Sequence, residues 1–180
     1  MIYVFLADGF EETEAIAPID LLRRSGKQVV TVGVGDNMVT SSHGVTVVTD
    51  TIAQEAQLTD ELEMIILPGG MPGTLNLEKS PYVQAAIDFC VSSGKYIGAI
   101  CAAPSILGHK GLLKGRNAVC YEGFETQLEG AVTSTDPVAC DGIFITSRGA
   151  GTAVEFGLAL VEKAVSKAES DRQRKAIMCF

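Results

Sequence analysis

The feature that most constrains the fold is a series of short, nearly uninterrupted apolar runs. They are Ile2 to Ala7, Val29 to Val34, Met64 to Leu67, Tyr96 to Ile100 and Ile143 to Ile145. Strands buried on both faces have this pattern, whereas a half-exposed strand alternates apolar and polar residues. No run approaches the roughly 18 residues of a membrane span. The runs therefore predict buried β-strands and no association with a membrane.

Segments with helical periodicity separate these runs. Clear examples are Ala15, Ile19 and Leu22 before Gly26, and Val83, Ile87 and Val91 before Gly94. A glycine at the end of a periodic segment is typical of a helix C-terminus. This βα alternation predicts an α/β fold with a doubly wound, mostly parallel sheet. Residues 1–180 are expected to form one domain, with its ligand site at the carboxyl ends of the strands.

Two segments depart from the alternation. Residues Thr40 to Thr49 predict an added hairpin, and Asn117 to Gly142 predict short strands around a helical turn at Glu122 to Leu128. The end of the chain predicts one long helix from about Thr152 to Lys167. Its stripe of apolar residues is expected to lie in the core: Val154, Leu158, Val161 and Val165.

Charge and residue usage exclude several function classes. The net charge is −8, and no basic stripe suits nucleic acid. The five cysteines include no CxxC pair, so we expect reduced thiols without a disulfide framework or zinc site. Neither of the two histidines has a metal-ligand partner nearby in sequence, so no metal or other cofactor is expected. The amino-terminal run lacks a basic region before it, which predicts a cytoplasmic protein.

The first candidate functional loop follows the first apolar run and is acidic. It carries Glu11, Glu12 and Glu14 where a helix begins. Carboxylates in a first turn are favoured by the helix dipole, which accounts for them without a site. Pro18 favours the alternative, since it cannot donate to the Glu14 carbonyl and disturbs the helix there.

The loops after the third and fourth runs carry paired glycines and a cysteine. Gly69 and Gly70 can turn the backbone sharply and aim N–H groups at an anion, although a plain tight turn is equally consistent. Cys101 ends a strand, and Pro104 suits the start of a helix, as in a nucleophile elbow. A helix N-terminus lowers the pKa of a thiol, which predicts a reactive Cys101. The alternative is a cysteine packed as a small hydrophobe.

The fourth loop is Ser147 to Thr152. Its Gly149-Ala150-Gly151 lacks the third small residue and the following βα unit of a dinucleotide site. Arg148 is a candidate for orienting an anionic group, with pairing to a local acid as the alternative.

Together these loops resemble the DJ-1/ThiJ/PfpI family. The resemblance rests on four motifs in order, Asp8 to Glu14, Leu67 to Gly70, Ala99 to Pro104 and Thr146 to Thr152, and it runs nearly end to end. The motifs are most similar to the branch with the human Parkinson's-linked protein and its bacterial relatives. The resemblance implies a flavodoxin-like three-layer α/β/α sandwich, a homodimer, and a reactive cysteine hydrogen-bonded to a protonated glutamate. Cys101 and Glu14 match those two positions.

Several positions depart from the family pattern. The peptidase-like branch has a histidine after the elbow cysteine, where this chain has Ala102. A pocket position that often holds histidine aligns with Tyr121, and an arginine of the added ribbon aligns with His43. His43 is an auxiliary candidate, from its own or the other subunit, with an exposed turn histidine as the alternative.

Three functions follow as hypotheses. In the first, a cofactor-independent enzyme of the glyoxalase or deglycase type acts on small reactive carbonyl compounds and protects against stress. Cys101 is its nucleophile, Glu14 its proton shuttle, and the N–H groups around Gly69, Gly70 and Ala102 its oxyanion donors. The second is a non-enzymatic sensor of oxidants, or a chaperone, acting through Cys101. The third and weaker one is a peptidase or amidase.

Overall fold

The computed structural model describes residues 1–179 and is built on a seven-stranded sheet. Its strands are β1 (Ile2–Ala7), β2 (Val29–Val34), β5 (Thr51–Ile52), β6 (Met64–Leu67), β7 (Tyr96–Ile100), β10 (Val138–Asp141) and β11 (Phe144–Ser147). They lie in the order β10-β11-β7-β6-β1-β2-β5, and every neighbouring pair is parallel except β10 with β11. This confirms the predicted doubly wound α/β architecture.

Helices cover both faces of the sheet. They are α1 (Glu12–Arg24), α2 (Gly73–Lys79), α3 (Pro81–Ser93), α4 (Pro104–His109), α5 (Ala153–Ala164) and α6 (Lys167–Ala176). Strand β1 shows why the runs are continuous: Tyr3 and Phe5 join one core cluster, with α3 and α4, while Val4 and Leu6 join the other, with α1 and α5. Because both faces are buried, no polar residue interrupts the strand.

Two small ribbons lie beside the sheet. The antiparallel pair β3 (Met38–Thr40) and β4 (Thr46–Val48) is the predicted hairpin, and β8 (Asn117–Ala118) pairs in parallel with β9 (Val132–Thr133). The predicted turn at Glu122 to Leu128 is shorter than expected, a single 3-10 turn at Glu125–Gln127. Among residues 1–179, no helix has both the length and the apolar character needed to cross a membrane.

The predicted final helix is present as α5, but it ends three residues before Lys167 and a second helix follows it. Helix α5 ends at Ala164, and α6 begins at Lys167. The Ser166 hydroxyl caps α6 by accepting a hydrogen bond from the Glu169 N–H at 3.1 Å. Val165, expected in the core, lies between the helices and is 44% exposed. The serine cap starts α6 because it satisfies an N–H group that has no partner inside that helix.

Candidate active site

The site lies where β1, β6, β7 and β11 end at the same edge of the sheet. The backbone brings these ends together through hydrogen bonds: Cys101 N–H donates to the Ser147 carbonyl at 2.9 Å, and Glu11 N–H donates to the Gly69 carbonyl at 2.9 Å. Adjacent parallel strands place their carboxyl ends side by side, and this is where ligands bind in such sheets. All four loops singled out in the sequence meet here.

Glu14 is buried at the centre of this edge, with only 1% of its surface exposed. It lies in the first turn of α1, and the Glu11 side chain caps that helix by accepting the Glu14 N–H at 2.7 Å. The Gly69 N–H donates to Glu14 Oε2 at 2.9 Å, and the Ala150 N–H also donates to the carboxylate. The acidic first turn therefore has two roles, since Glu11 caps the helix while Glu14 enters the site.

Cys101 occupies a strained turn directly after β7. Its φ of 65° lies in the left-handed region, which residues with a Cβ rarely adopt. The Cys101 side chain hydrogen-bonds to Glu14, and the backbone N–H groups of Gly70 and Ala102 donate to its sulfur. The predicted elbow geometry is present, and the expected donors at Gly70 and Ala102 point at Sγ.

Gly69 is required by close packing around this pair. A Cβ at Gly69 would lie 2.6 Å from the Cys101 Cβ and 2.7 Å from Glu14 Oε2. Gly70 has a φ of 91°, and a Cβ there would lie 2.5 Å from the backbone nitrogen of Glu11. The paired glycines thus let three chain segments approach the carboxyl group and the sulfur.

Glu14 and Cys101 share one proton near neutral pH. Burial raises the pKa of Glu14 to about 7, and the charge of Glu11 contributes in the same direction. Burial also raises the pKa of the Cys101 thiol to about 12, and the Glu14 carboxylate adds to that rise. The expected lowering of the thiol pKa is therefore wrong while Glu14 is ionised, because burial and repulsion outweigh the helix terminus. Thiolate forms in this pair when the carboxyl group holds the proton.

Two further residues singled out in the sequence, Tyr121 and Arg148, lie next to the pair. The Tyr121 N–H donates to the Cys101 carbonyl at 2.9 Å, so its backbone supports the elbow. Arg148 is half-buried and forms no ion pair with an acid in the described part of the chain. Tyr121 and Arg148 line one cavity of about 360 Å³. The cavity also borders Glu14, since a Cβ at Gly149 in its wall would lie 3.8 Å from Glu14 Oε1.

Neither histidine is a partner of Cys101 within the described chain. His43 is exposed and lies 3.1 Å from the Glu12 carboxylate, and His109 pairs with Glu78 at 2.5 Å. The fold also brings donor atoms of Glu11, Glu12 and His43 within 4.8 Å of one another, a grouping of metal-ligand types. Sequence spacing missed this group because His43 lies on the β3–β4 ribbon, 31 residues from Glu12.

Comparison with known proteins identifies the family of the chain. The family model described as DJ-1/PfpI family matches residues 1–163. The chain belongs to the DJ-1/PfpI family. Its similarity to other DJ-1/PfpI proteins covers nearly the whole chain: Protein dj-1beta of Drosophila melanogaster is 36% identical over 179 residues, covering 97% of this chain and 95% of that protein.

Two further relatives are informative. The protein named glutathione-independent glyoxalase DJR-1.2, from Caenorhabditis elegans, is 35% identical over 153 residues, covering 84% of this chain and 81% of that protein. Protein DJ-1 homolog B of Arabidopsis thaliana is 36% identical over 98% of this chain, which spans 41% of that longer protein.

Solved structures of DJ-1/PfpI proteins share the fold. A DJ-1 superfamily protein from Salmonella typhimurium has a TM-score of 0.92 and 34% identity, covering 98% of this chain and 97% of that one. Toxoplasma gondii DJ-1, solved in an oxidized form, has a TM-score of 0.93 and 32% identity, with the same coverage of both chains.

Proposed function

We propose that this protein is a cofactor-independent cysteine enzyme that converts small reactive carbonyl compounds, with glyoxalase-type chemistry. The observation that carries the proposal is the hydrogen bond between Glu14 and the Cys101 side chain. The N–H groups of Gly70 and Ala102 donate to the same sulfur. A buried acid-base group, a nucleophile and two donors then meet at one point. The C. elegans relative named as a glyoxalase supports this choice of chemistry.

The first step is addition of Cys101 Sγ to the aldehyde carbon of a 2-oxoaldehyde. A sulfur–carbon bond forms, and the carbonyl π electrons move to oxygen, where the thiol proton is delivered through Glu14. The N–H groups of Gly70 and Ala102, which donate to the sulfur before reaction, are placed to bind the developing oxyanion. The product of this step is a hemithioacetal.

The second stage moves hydrogen between the two carbons of the substrate. The Glu14 carboxylate removes the hydrogen of the former aldehyde carbon as a proton, giving an enediol, and a proton returns to the neighbouring carbon. The result is a 2-hydroxy thioester, in which the first carbon is oxidised and the second reduced. Water then hydrolyses the thioester and releases the thiol and a 2-hydroxy acid. The net reaction converts a 2-oxoaldehyde and water to a 2-hydroxy acid, so no external oxidant or cofactor is consumed.

The decisive measurement is lactate formation from methylglyoxal by the wild type and two variants. Cys101→Ala removes the nucleophile, and Glu14→Gln keeps the size of the side chain but cannot carry the proton. Each variant is expected to lower kcat by at least about 100-fold, the usual contribution of a positioned acid or base. Glu12→Gln is the matched control, because it neutralises a neighbouring carboxylate outside the pair. Lactate formation that survives Cys101→Ala contradicts the mechanism.

A second function, an oxidant sensor based on Cys101, is favoured by the solved oxidized form of the Toxoplasma relative. Peroxide converts a thiolate to sulfenate with release of water, and a second equivalent gives sulfinate. This function predicts that Cys101 is oxidised before the buried Cys90 and Cys120 and the exposed Cys140, with negligible carbonyl turnover. Equal peroxide sensitivity of all these cysteines, measured by mass spectrometry, counts against it.

Peptidase chemistry has no comparable support. It needs a base that activates sulfur for attack on an amide, and Ala102 occupies the position of the histidine. In the described chain, His43 contacts Glu12 and Ser42 rather than Cys101. Peptidase activity that is lost in His43→Ala is the result that would restore this hypothesis.

A further inference from the structure

We propose that the cavity lined by Tyr121 and Arg148 binds a carboxylate group, so that the preferred substrates are small carbonyl compounds that carry one. This inference rests on the proposed function and names its substrate class. The cavity has a volume of about 360 Å³, enough for a small organic acid beside the pair. Its walls are Tyr121, Glu122 and the segment from Arg148 to Thr152.

The Arg148 guanidinium is weakly bound by the protein. Its side chain donates one long hydrogen bond, 3.4 Å from Nη1 to the Thr135 carbonyl oxygen. No acid in the described part of the chain lies within ion-pair distance of it. A guanidinium has five N–H donors in a planar fork that matches a carboxylate, so most of its donor capacity is available to a ligand.

The cavity is lined by one acidic and one basic side chain, Glu122 and Arg148. Glu122 is exposed to solvent, whereas Arg148 is half-buried. Water screens an exposed charge more strongly than a partly buried one. The preference for an anion is therefore local to Arg148, because the cavity also borders Glu14, whose pair with Cys101 carries one negative charge near neutral pH.

The cavity lies beside the Glu14–Cys101 pair, because residues in its walls and next to them hydrogen-bond to both members of the pair. Arg148 directly follows Ser147, whose carbonyl accepts the Cys101 N–H at 2.9 Å, and Ala150 donates its N–H to Glu14. Tyr121, which also lines the cavity, donates its N–H to the Cys101 carbonyl. A small molecule in the cavity would therefore lie beside Glu14, which hydrogen-bonds Cys101, and Arg148 in the cavity wall would be available to its carboxylate.

The test compares two alkylating reagents of similar size, anionic iodoacetate and neutral iodoacetamide. The ratio of their rates at Cys101, resolved by mass spectrometry, measures the preference for an anion without requiring carbonyl turnover. Arg148→Gln is expected to lower this ratio about fivefold, the value of one charge-assisted contact. Exposed Cys140 supplies the internal reference, and its ratio should not change.

Two further variants separate charge from structural damage. Arg172→Gln removes one positive charge from α6, outside the cavity, and should leave the Cys101 ratio unchanged. Arg148→Lys keeps the positive charge and should retain most of the wild-type ratio. The inference is overturned if Arg148→Gln leaves the ratio within about twofold of wild type, or if Arg148→Lys lowers it as far as Arg148→Gln does.

A second readout uses the carbonyl compounds themselves. Glyoxylate and glyoxal are similar in size, but only glyoxylate carries a carboxylate, and each protects Cys101 from iodoacetamide when it forms a hemithioacetal. Arg148→Gln should raise the glyoxylate concentration for half-protection about fivefold and leave that of glyoxal unchanged. If glyoxal does not protect the wild type, the proposed function fails. If glyoxal protects and the glyoxylate value is unaffected by the variant, only the carboxylate inference fails.

Discussion

Cys101 combines a left-handed backbone with two fixed neighbours, and this combination decides how its sulfur behaves. Its N–H and its carbonyl are held by Ser147 and Tyr121, so the surrounding chain maintains a φ of 65° that an isolated cysteine would avoid. The sulfur is consequently fixed against Glu14 instead of turning to solvent. The reactivity of the sulfur therefore depends on the proton that Cys101 shares with Glu14, and so on pH.

The alkylation rate of Cys101 should depend on pH differently in the wild type and in Glu14→Gln. The wild-type pair loses its first proton near pH 7 and its second near pH 12, so the thiolate fraction is nearly constant between these values. In Glu14→Gln a single thiol titrates without a charged neighbour. Its iodoacetamide rate should rise about tenfold per pH unit above pH 7 until the thiol pKa is reached. Parallel profiles for the two proteins contradict a shared proton.

Gly69 should tolerate no side chain. In Gly69→Ala the new methyl group meets the Cys101 Cβ and Glu14 Oε2 at less than 3 Å, so the loop or the pair must move. We expect a loss of about 1–3 kcal/mol in the free energy of unfolding, as for other overpacked sites, together with a slower reaction of Cys101. Gly151→Ala is the matched control, because its Cβ would have no neighbour within 4 Å. Urea denaturation and iodoacetamide labelling measure the two effects.

At the scale of the elements, α1 and α5 pack closely against each other, and a glycine makes this possible. A Cβ at Gly157 would lie 2.6 Å from the Leu21 Cδ1 and 3.2 Å from the Pro18 Cα. Both helices lead into the site, since α1 carries Glu14 and α5 follows Ala150, which donates to Glu14. Their spacing therefore influences the position of the carboxyl group.

Gly157→Ala should destabilise the protein although alanine is the better helix former. Helix propensity favours alanine by about 1 kcal/mol, whereas overpacking at a tight contact costs about 1–3 kcal/mol. We expect a net loss in thermal stability and a changed reaction rate at Cys101, because α1 and α5 must separate. Ala164→Gly at the end of α5 is the control for propensity alone. An increase in melting temperature for Gly157→Ala would show that the helices can separate freely.

The sequence predicted the elements of the sheet better than the end of the chain. Continuous apolar runs locate β1, β6 and β7 because burial on both faces leaves few polar residues in them, and the run at β2 is interrupted only by Thr31. The break between α5 and α6 was missed, although the Ser166 and Glu169 spacing is a known helix-start signal. Helix α2 was also missed, since a glycine-rich loop before a short helix has the same residues as a plain turn.

At the scale of the whole molecule, the topology predicted where the site lies but not its ionisation. The order of the strands follows from βα alternation, and it places the four loops at one edge. The raised pKa of Cys101 depends on how deeply the pair is buried, which no spacing of residues reveals. The contact of His43 with Glu12 likewise needs the position of the ribbon against α1.

We propose that the molecule is a cytoplasmic homodimer that uses α1 and the β3–β4 ribbon. These elements lie side by side, because His43 of the ribbon contacts Glu12 of α1, and Gly9 N–H in the loop before α1 donates to the Thr40 carbonyl. Together they expose large apolar side chains: Ile16, Met38, Val45 and Val48. Exposed apolar side chains on adjacent elements are typical of subunit interfaces. The five free cysteines suit a reducing compartment.

Ile16→Lys should convert the dimer to a monomer, since a lysine on an apolar interface loses hydration without gaining a partner. Sedimentation velocity should show the mass falling from two chains to one. Val132→Lys, at another exposed apolar position, is the control and should leave the mass unchanged. A monomeric wild type would reject the proposed dimer, and a dimeric Ile16→Lys would reject this interface.

The hydrogen bonds of Glu14 also determine at which point of its synthesis the chain can form the site. Its carboxylate needs donors from Gly69, Cys101 and Ala150, and these residues are translated at widely separated times. A nascent chain that ends before Ala150 lacks a donor and a wall of the cavity. Until that residue leaves the ribosome, Cys101 is an ordinary thiol, so its chemistry begins only when nearly the whole sheet has formed.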